Sequence, residues 1–94
     1  MRIGNDPAKR ERTLEERGLD FEDAPELFAG SHLTGPDLRR DYGEARWISL
    51  GAVGETVVAL VWTEREGEGR RIISMRKADR DERRDYTEQR DGSG

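Results

Sequence analysis

The chain has 94 residues, no cysteine, one histidine and a formal net charge of −4, with 40% charged and 32% hydrophobic side chains. These numbers exclude a second domain of ordinary size, disulfide bonds, thiolate metal sites, cysteine catalysis and any mechanism that needs a pair of histidines. No apolar run approaches the roughly 18 residues of a membrane span, and no apolar signal-peptide segment follows Met1, so we expect a cytoplasmic protein with no membrane partner.

A short strand and a surface helix are the first predicted elements. Arg2-Ile3 is a candidate for the strand. Asp6-Pro7 is typical of a helix start, because aspartate caps free backbone N–H groups and proline in the first turn wastes no donor. We expect the helix over residues 7–17, ending at Gly18, which can adopt the left-handed cap conformation. A narrow buried stripe is predicted at its clear apolar residues, Ala8 and Leu14.

A second helix and a long loop are predicted next. Asp20 repeats the helix-start signal, and Gly30 ends the helix. The apolar residues between them fall on one helical face: Phe21, Ala24, Leu27 and Phe28. Residues 30–44 carry glycines and a proline among polar side chains, which predicts a loop. Within this loop we expect His32 to be solvent-exposed and Tyr42 to be half-buried.

An antiparallel meander of three strands follows the loop. Its first strand is predicted over residues 45–50, with a turn over residues 51–54. The second covers residues 56–63, TVVALVWT, which are almost wholly apolar and therefore typical of a central strand buried on both faces. Trp47 and Trp62 lie in these apolar strands, so we expect them in the core rather than on a base-stacking surface.

The third strand and the last helix complete the predicted elements. After a charged turn over residues 64–69, the strand spans residues 70–77, and strict alternation divides its side chains into two faces. One face carries Arg71, Ile73, Met75 and Lys77, and the other carries Arg70, Ile72, Ser74 and Arg76. The helix is expected from Asp79 to about Glu88, because Asp79 and Glu82 have the spacing of a capping box. Residues 89–94 are expected to form a polar, frayed tail.

The predicted fold class is α+β, in one domain over residues 1–88. It comprises two N-terminal helices, an antiparallel β-meander sheet of three to four strands and a C-terminal helix.

A basic segment from Arg70 to Arg84 is the strongest chemical signal. It holds seven bases and three acids, a net charge of +4 in a chain whose remainder is −8. A strand with basic side chains leads into a helix on which Glu82 and Tyr86, four residues apart, share a face. RNA cleavage through the 2′-hydroxyl needs such groups, because one must accept a proton, cations must neutralise the phosphorane and the leaving oxygen needs a proton. The alternative is a solvated strand edge and helix face without chemistry.

Neither a metal nor a cofactor is expected to assist this chemistry. The aspartates and glutamates are scattered without the spacing of metal ligands, which favours a metal-independent reaction. Glu44 lies two residues before Arg46, so the two side chains can pair on one strand face. This pairing and a catalytic role of Glu44 both remain open.

A set of motifs between Asp6 and Tyr86 occurs in a fixed order. They are Asp6-Pro7-Ala8-Lys9, Gly18, Phe21-Glu22-Asp23-Ala24, Gly43-Glu44-x-Arg46, Gly51, Val57-Val58-x-Leu60-Val61-x-Thr63, Arg71-Ile72-Ile73-Ser74-x-Arg76-Lys77-Ala78 and Glu82-Arg83-x-x-Tyr86. In this order the sequence resembles the BrnT family of type II toxins, whose fold resembles that of RelE-like ribonuclease toxins. Chains of that family usually carry an aromatic residue before Asp-Pro and Lys-His before the glycine, where this sequence has Asn5 and Glu16-Arg17.

The resemblance implies a ribonuclease that cleaves RNA and so inhibits translation and growth. It implies neutralisation by a cognate antitoxin with a ribbon-helix-helix DNA-binding half, and contact with operator DNA only through the antitoxin complex. An antitoxin segment that covers the basic patch should be acidic. The alternatives are a catalytically degenerate module that only binds an antitoxin or nucleic acid, and a nucleic-acid-binding protein without a partner.

The resemblance also implies which residues form the site. By motif position, the residues expected to be catalytic are Arg46, Arg76, Lys77 and Tyr86. We expect Arg46 and Arg76 to contact the scissile phosphate, while Lys77 and Tyr86 handle protons or position the substrate. The residues expected to bind RNA are Lys9, Arg71 and Arg83.

Overall fold

A five-stranded mixed sheet organises the fold in the computed structural model, which describes residues 2–92. In chain order the elements are β1 (Ile3–Asn5), α1 (Pro7–Arg17), a 3-10 turn (Phe21–Asp23), α2 (Ala24–Ala29), β2 (His32–Pro36), β3 (Trp47–Val53), β4 (Thr56–Arg65), β5 (Gly69–Lys77) and α3 (Arg80–Gly92). The strands lie in the order β1-β5-β4-β3-β2, with β1 parallel to β5 and all other neighbours antiparallel. No helix within residues 2–92 is long and apolar enough to span a bilayer.

The α+β class is confirmed, but the sheet has five strands rather than three to four and is mixed rather than antiparallel. The candidate first strand exists as β1 and pairs with β5, with Ile3 opposite Arg70. The predicted loop over residues 30–44 contains β2, which was missed because Gly35 and Pro36 resemble a turn. An edge strand tolerates proline, since one of its sides has no partner to bond.

Capping residues fix both ends of α1 as predicted. The Asp6 side chain accepts a hydrogen bond from the Ala8 backbone N–H at 3.0 Å, and Gly18 closes the helix with a φ of 69°. The predicted buried stripe is wrong, because α1 has no buried residue and Leu14 is 44% exposed. Polar contacts attach the helix instead: Arg10 forms a bidentate pair with Asp20 at 2.7 and 3.0 Å.

The second helix is shorter than its apolar pattern predicts. A 3-10 turn over residues 21–23 comes first, and the α-helical part begins only at Ala24. Pro25 has no N–H with which to reach the Phe21 carbonyl, which accepts a hydrogen bond from the Ala24 N–H instead. The capping role of Asp20 is confirmed, because its carboxylate accepts a bond from the Glu22 N–H at 3.0 Å.

The hydrophobic core lies between the sheet and the segment that contains the 3-10 turn and α2. Its buried residues are Leu19, Phe21, Ala24, Leu27, Val58, Leu60, Trp62, Ile72 and Met75. The prediction for the tryptophans is confirmed, since Trp62 is buried and Trp47 packs against it with 6.1 Å between ring centroids. The Trp62 Nε1 donates to the Ser49 hydroxyl at 2.8 Å, so burial leaves this donor satisfied.

A β-bulge in β5 changes the faces predicted for its side chains. Val61 of β4 pairs with Ser74, but the next residue, Trp62, pairs with Ile72, so Ile73 is an extra residue without a partner on β4. The alternation changes phase there. Arg70, Ile72, Met75 and Lys77 lie on the core face, and Arg71, Ser74 and Arg76 lie on the opposite face. Strict alternation was wrong because it cannot place both Ile72 and Met75 in the core.

The last helix, α3, packs against β2 and β3 on the sheet face opposite the core. Its capping box is confirmed: Asp79 N–H donates to Glu82 at 2.9 Å, and Glu82 N–H donates to Asp79 at 2.8 Å. The helix continues to Gly92, so residues 89–92 are helical rather than a frayed tail. Residues 93–94 of that expected tail lie outside the described residues.

Gly51 on β3 provides a test of this packing. A Cβ at Gly51 would lie 2.7 Å from Leu27 Cγ, and both positions are buried. We expect Gly51→Ala to lower the free energy of unfolding by about 1–3 kcal/mol through overpacking. A Cβ at Gly35 would have no atom within 4 Å, so Gly35→Ala should change the free energy of unfolding by less than about 0.5 kcal/mol. Urea unfolding that gives equal losses for both variants would contradict the packing of α2 on β3.

Candidate active site

A cluster of arginines occupies the sheet face opposite the core. The bulge places Arg71 and Arg76 of β5 on this face. The β2–β3 ladder continues past Pro36, since the Asp37 N–H donates to the Arg46 carbonyl at 2.8 Å, and alternation places Asp37 and Arg46 on the same face. We call this surface the arginine face; it comprises Asp37, Arg39, Tyr42, Glu44, Arg46, Arg71, Arg76 and Glu82.

A bidentate ion pair with Glu82 holds Arg76. The guanidinium donates from Nη1 to Oε1 at 2.6 Å and from Nη2 to Oε2 at 2.9 Å. The Asp79 N–H also donates to Glu82, which ties the pair to the N-terminal cap of α3. These hydrogen bonds raise the pKa of Arg76 and lower the pKa of Glu82, so both groups are charged at neutral pH. The first turn of α3 therefore fixes the direction of Arg76.

Arg46 is held by a carboxylate and an aromatic ring. Its Nε donates to Glu44 Oε2 at 3.1 Å, which is the pairing that the spacing of these two residues left open beside a catalytic role. Its guanidinium carbon lies 4.2 Å from the centroid of the Tyr42 ring, which also contacts Arg40 at 5.1 Å. Tyr42 is half-buried, as expected. Stacking and ion pairing together restrict Arg46 although it follows a loop.

A third pair, Asp37 with Arg39, was not found from the sequence. Arg39 donates from Nε and Nη2 to the two carboxylate oxygens of Asp37, each at 2.8 Å. The Asp37 side chain is 0% exposed, whereas that of Arg39 is 55% exposed. Hydrogen bonds from Arg39, ahead of other causes, lower the pKa of Asp37 to about 2. The signal for this pair in the sequence was an acid, Asp37, two residues before a base, Arg39. Such spacing is common in charged loops, so it did not single the pair out.

Arg71 differs from the other cations of the arginine face. Among residues 2–92 it makes no ion pair, while Arg39, Arg46 and Arg76 each have a carboxylate partner. Its side chain lies opposite Thr63, whose hydroxyl donates to the Ala45 carbonyl at 2.7 Å. Arg71 therefore offers a positive charge to an external anion.

Two residues predicted to be catalytic lie away from this cluster. Lys77 is exposed and sits opposite Val58, on the core side of β5. Tyr86 is buried one helical turn after Glu82, where it lines a small pocket with Ser31, His32 and Leu33. Within residues 2–92, neither side chain makes a hydrogen bond or ring contact with an arginine of the arginine face. Arg76 reaches only the backbone carbonyl of Lys77, at 3.5 Å, and the Tyr86 ring contacts Arg90 of its own helix.

The remaining predicted residues lie at the edges. Lys9 is exposed and lines a groove between α1 and β5 with Arg12 and Ser74. Arg83 donates to the Ala78 carbonyl at 2.7 Å, a contact that supports the start of α3. His32 is exposed, as expected, although it begins β2 rather than lying in a loop.

The chain is similar to known proteins in sequence and in fold. The family model described as ribonuclease toxin, BrnT, of type II toxin-antitoxin system matches residues 6–82, from the cap of α1 to the partner of Arg76. The 1.1 Å crystal structure of the Brucella abortus ribonuclease toxin, BrnT, is similar at 28% identity with a TM-score of 0.67, covering 85% of this chain and 99% of that chain. No curated protein matches the sequence.

The lowered pKa of Asp37 gives the site a measurable acid sensitivity. A carboxyl whose folded-state pKa is depressed stabilises the fold above its ordinary pKa, here 3.8, and the stabilisation is lost as the pH falls through about 2. We therefore expect the free energy of unfolding of wild type to fall by about 1 kcal/mol more than that of Asp37→Asn between pH 4 and pH 2. This difference is smaller than the full pKa shift would give, because water screens the exposed Arg39.

Urea unfolding at both pH values measures this difference. Asp81→Asn is the matched control, because Asp81 is exposed and only loosely paired with Arg84 at 3.5 Å. The free energy of unfolding of Asp81→Asn should change as much as that of wild type between the two pH values. The same pH dependence for wild type and Asp37→Asn would show that the Asp37 pair does not stabilise the fold.

Proposed function

This chain belongs to the BrnT family of ribonuclease toxins of type II toxin-antitoxin systems, and we propose that it cleaves RNA on the arginine face without a metal ion. The observation that carries the proposal is the bulge in β5, which aligns Arg71 and Arg76 on the face that Arg46 shares. Guanidinium groups bind phosphate through paired N–H donors, and several on one face suit a polyanionic strand.

The chemistry that fits these groups is attack by the 2′-oxygen on the adjacent phosphorus. The P–O5′ bond breaks as the new P–O2′ bond forms, leaving a 2′,3′-cyclic phosphate and a 5′-hydroxyl. We assign Arg46 and Arg76 to the scissile phosphate, where fixed cations stabilise the charge that develops on the phosphorane. We assign Arg71, Lys9 and Arg83 to the flanking RNA backbone.

Glu44 is the carboxylate best suited to accept the 2′-hydroxyl proton. Its side chain is 33% exposed, bonds Arg46 through Oε2 and has only a longer ion pair, with Arg65 at 3.9 Å, at Oε1. Asp37 is fully buried, and Glu82 accepts three hydrogen bonds. The leaving 5′-oxygen takes a proton from solvent on the open face. Lys77 and Tyr86 stay outside this scheme, because neither side chain bonds to the arginines that would hold the phosphate.

The family also implies an antitoxin partner. We propose that its DNA-binding half is a ribbon-helix-helix and that operator DNA is contacted only through the complex. The segment that neutralises the toxin would be acidic and would cover the arginine face, since carboxylates can replace phosphates as partners of guanidinium groups. A cytoplasmic location follows from this proposal.

Binding without cleavage is the second candidate function, and one contact favours it. Arg17 stands where resembling chains usually carry histidine, and its guanidinium donates to the Met75 carbonyl at 2.8 Å. Arginine remains protonated at physiological pH, so this position supplies no proton acceptor. A degenerate toxin would still bind its antitoxin through the same surface.

A cleavage assay separates the two functions. Defined single-stranded RNA is incubated with purified protein and EDTA, with and without ribosomes, and the new ends are mapped. We expect wild type and Arg84→Ala to leave 2′,3′-cyclic phosphate ends, and Arg76→Ala to be at least about 100-fold slower, as for loss of one preorganised charge donor. Arg84 is the matched control, because it is an exposed arginine of α3 outside the arginine face.

Glu44→Gln in the same assay tests the proton acceptor. It keeps an acceptor for Arg46 but cannot take up a proton, so we expect kcat to fall by about 100-fold or more with little change in KM. Absence of cleavage by wild type under every condition would support the degenerate module, and equal cleavage by Arg76→Ala would contradict the arginine face as the site.

A further inference from the structure

We propose that Arg39 is a further catalytic residue of this reaction: its guanidinium contacts the RNA phosphate beside Arg76, and buried Asp37 is the positioning residue that holds it there. The inference rests on the proposed function, and it adds residues to which neither the motifs nor the comparisons give a role.

The sheet, rather than the loop, anchors the Asp37–Arg39 pair. Asp37 extends the β2–β3 ladder through its N–H bond to the Arg46 carbonyl at 2.8 Å. The Arg39 backbone N–H also donates to the Asp37 carboxylate, at 3.2 Å, in addition to the two bonds from its guanidinium. A residue in the middle of a connecting segment is therefore held by three hydrogen bonds, two of them from its side chain, to a group fixed in the sheet.

The burial of the two partners is strongly unequal. Asp37 is completely buried at its side chain, whereas more than half of the Arg39 side chain faces solvent. Burying a carboxylate costs free energy unless it is paired, and an exposed partner compensates less than a buried one. This arrangement leaves the Arg39 guanidinium accessible to solvent and fixed in direction. A group that binds a ligand requires both properties, whereas an ion pair that only stabilises the fold requires neither.

Arg39 shares the arginine face with Arg76, since Asp37, which holds Arg39, lies opposite Arg46 on that face. The hydrogen bonds from Arg76 are the main cause of the lowered pKa of Glu82, and the positive charge of Arg39 lowers it further. The hydrogen bonds between Arg76 and Glu82 raise the pKa of Arg76, and the positive charge of Arg39 opposes this increase. Like charges on one face repel each other, so an anion bound by both guanidinium groups relieves a repulsion that is present in the free protein.

The geometry leaves part of the Arg39 fork available. Nε and Nη2 bond to Asp37, and the guanidinium also interacts with the Tyr42 side chain, so at least two of its five N–H groups remain to donate to phosphate oxygens. The phosphorane carries more negative charge than the ground-state diester, so a fixed guanidinium stabilises the transition state more than the substrate. Lysine in its place would keep the charge but lose the fork that Asp37 holds.

Two measurements on the full chain test the inference. Cleavage rates are measured on single-stranded RNA, and affinity is measured by fluorescence anisotropy with the same sequence as an uncleavable 2′-O-methyl oligonucleotide. The variants are Arg39→Ala, Arg39→Lys, Asp37→Asn and the double variant, with Arg84→Ala as the control arginine. Circular dichroism melting confirms that each variant is folded at the assay temperature.

We expect Arg39→Ala to lower kcat by about 100-fold and to weaken binding of the oligonucleotide several-fold, whereas Arg84→Ala changes both by less than twofold. Arg39→Lys should recover only a small part of kcat. Asp37→Asn should lower kcat by about tenfold in the wild-type background and have no effect when Arg39 is already alanine, because it acts only through Arg39.

Failure of this inference can be distinguished from failure of the proposed function. Wild-type kcat and affinity for Arg39→Ala, with Arg76→Ala inactive, would overturn the role of Arg39 and leave the arginine face as the site. An undiminished effect of Asp37→Asn in the Arg39→Ala background would overturn the positioning role. If wild type cleaves no RNA, the proposed function fails, and equal affinity of wild type and Arg39→Ala for the oligonucleotide then overturns the phosphate contact as well.

Discussion

One extra residue in β5 determines which side chains the protein offers to an anion. Without the bulge at Ile73, residues 71 and 76 would lie on opposite faces of the strand, and so would residues 72 and 75. Ile72 and Met75 are 1% and 0% exposed, and burying each contributes roughly 1.5–3 kcal/mol. The core therefore selects the bulged register, and the alignment of Arg71 with Arg76 follows from it. A stability requirement on one face of the sheet thus assembles the charge cluster on the other.

Charge balance explains how such a cluster exists in the free protein. Arg39, Arg46 and Arg76 each bond a different carboxylate, so their mutual repulsion is partly offset before any ligand binds. The Asp37 and Glu82 carboxylates also accept backbone N–H bonds, and Arg46 lies over the Tyr42 ring, so the direction of each guanidinium is fixed. Groups that are already aligned need little reorganisation when negative charge develops on a phosphate, which is the main source of electrostatic catalysis.

Local signals in the sequence predicted the parts of the structure that depend on local physics. The caps of α1 and the capping box at Asp79 follow from spacings of four residues or fewer, which also allow Glu44 to pair with Arg46. The central strand β4 follows from one uninterrupted apolar run. Motif positions also named Arg46, Arg71 and Arg76, which the fold brings to one face.

The remaining features depend on partners that are distant in sequence. The β2 strand exists because β3 offers it a ladder, and its Gly35-Pro36 step alone resembles a turn. The bulge depends on which residues the core must bury, so alternation along β5 could not reveal it. Asp37 is buried only because β2 continues into the loop, and the position of Tyr86 depends on the path of α3 across the sheet.

The bulge and the arginine face can be tested together by observing the arginine side chains directly. Nε–H resonances of isotopically labelled arginine are followed by NMR during titration with an uncleavable 2′-O-methyl RNA. Arg71 and Arg76 should shift together, while Arg70, which stacks over Phe28 and Trp62 on the core side, should not. Joint shifts of Arg70 and Arg76 with Arg71 unchanged would contradict the account, because they would require the regular alternation that the bulge removes.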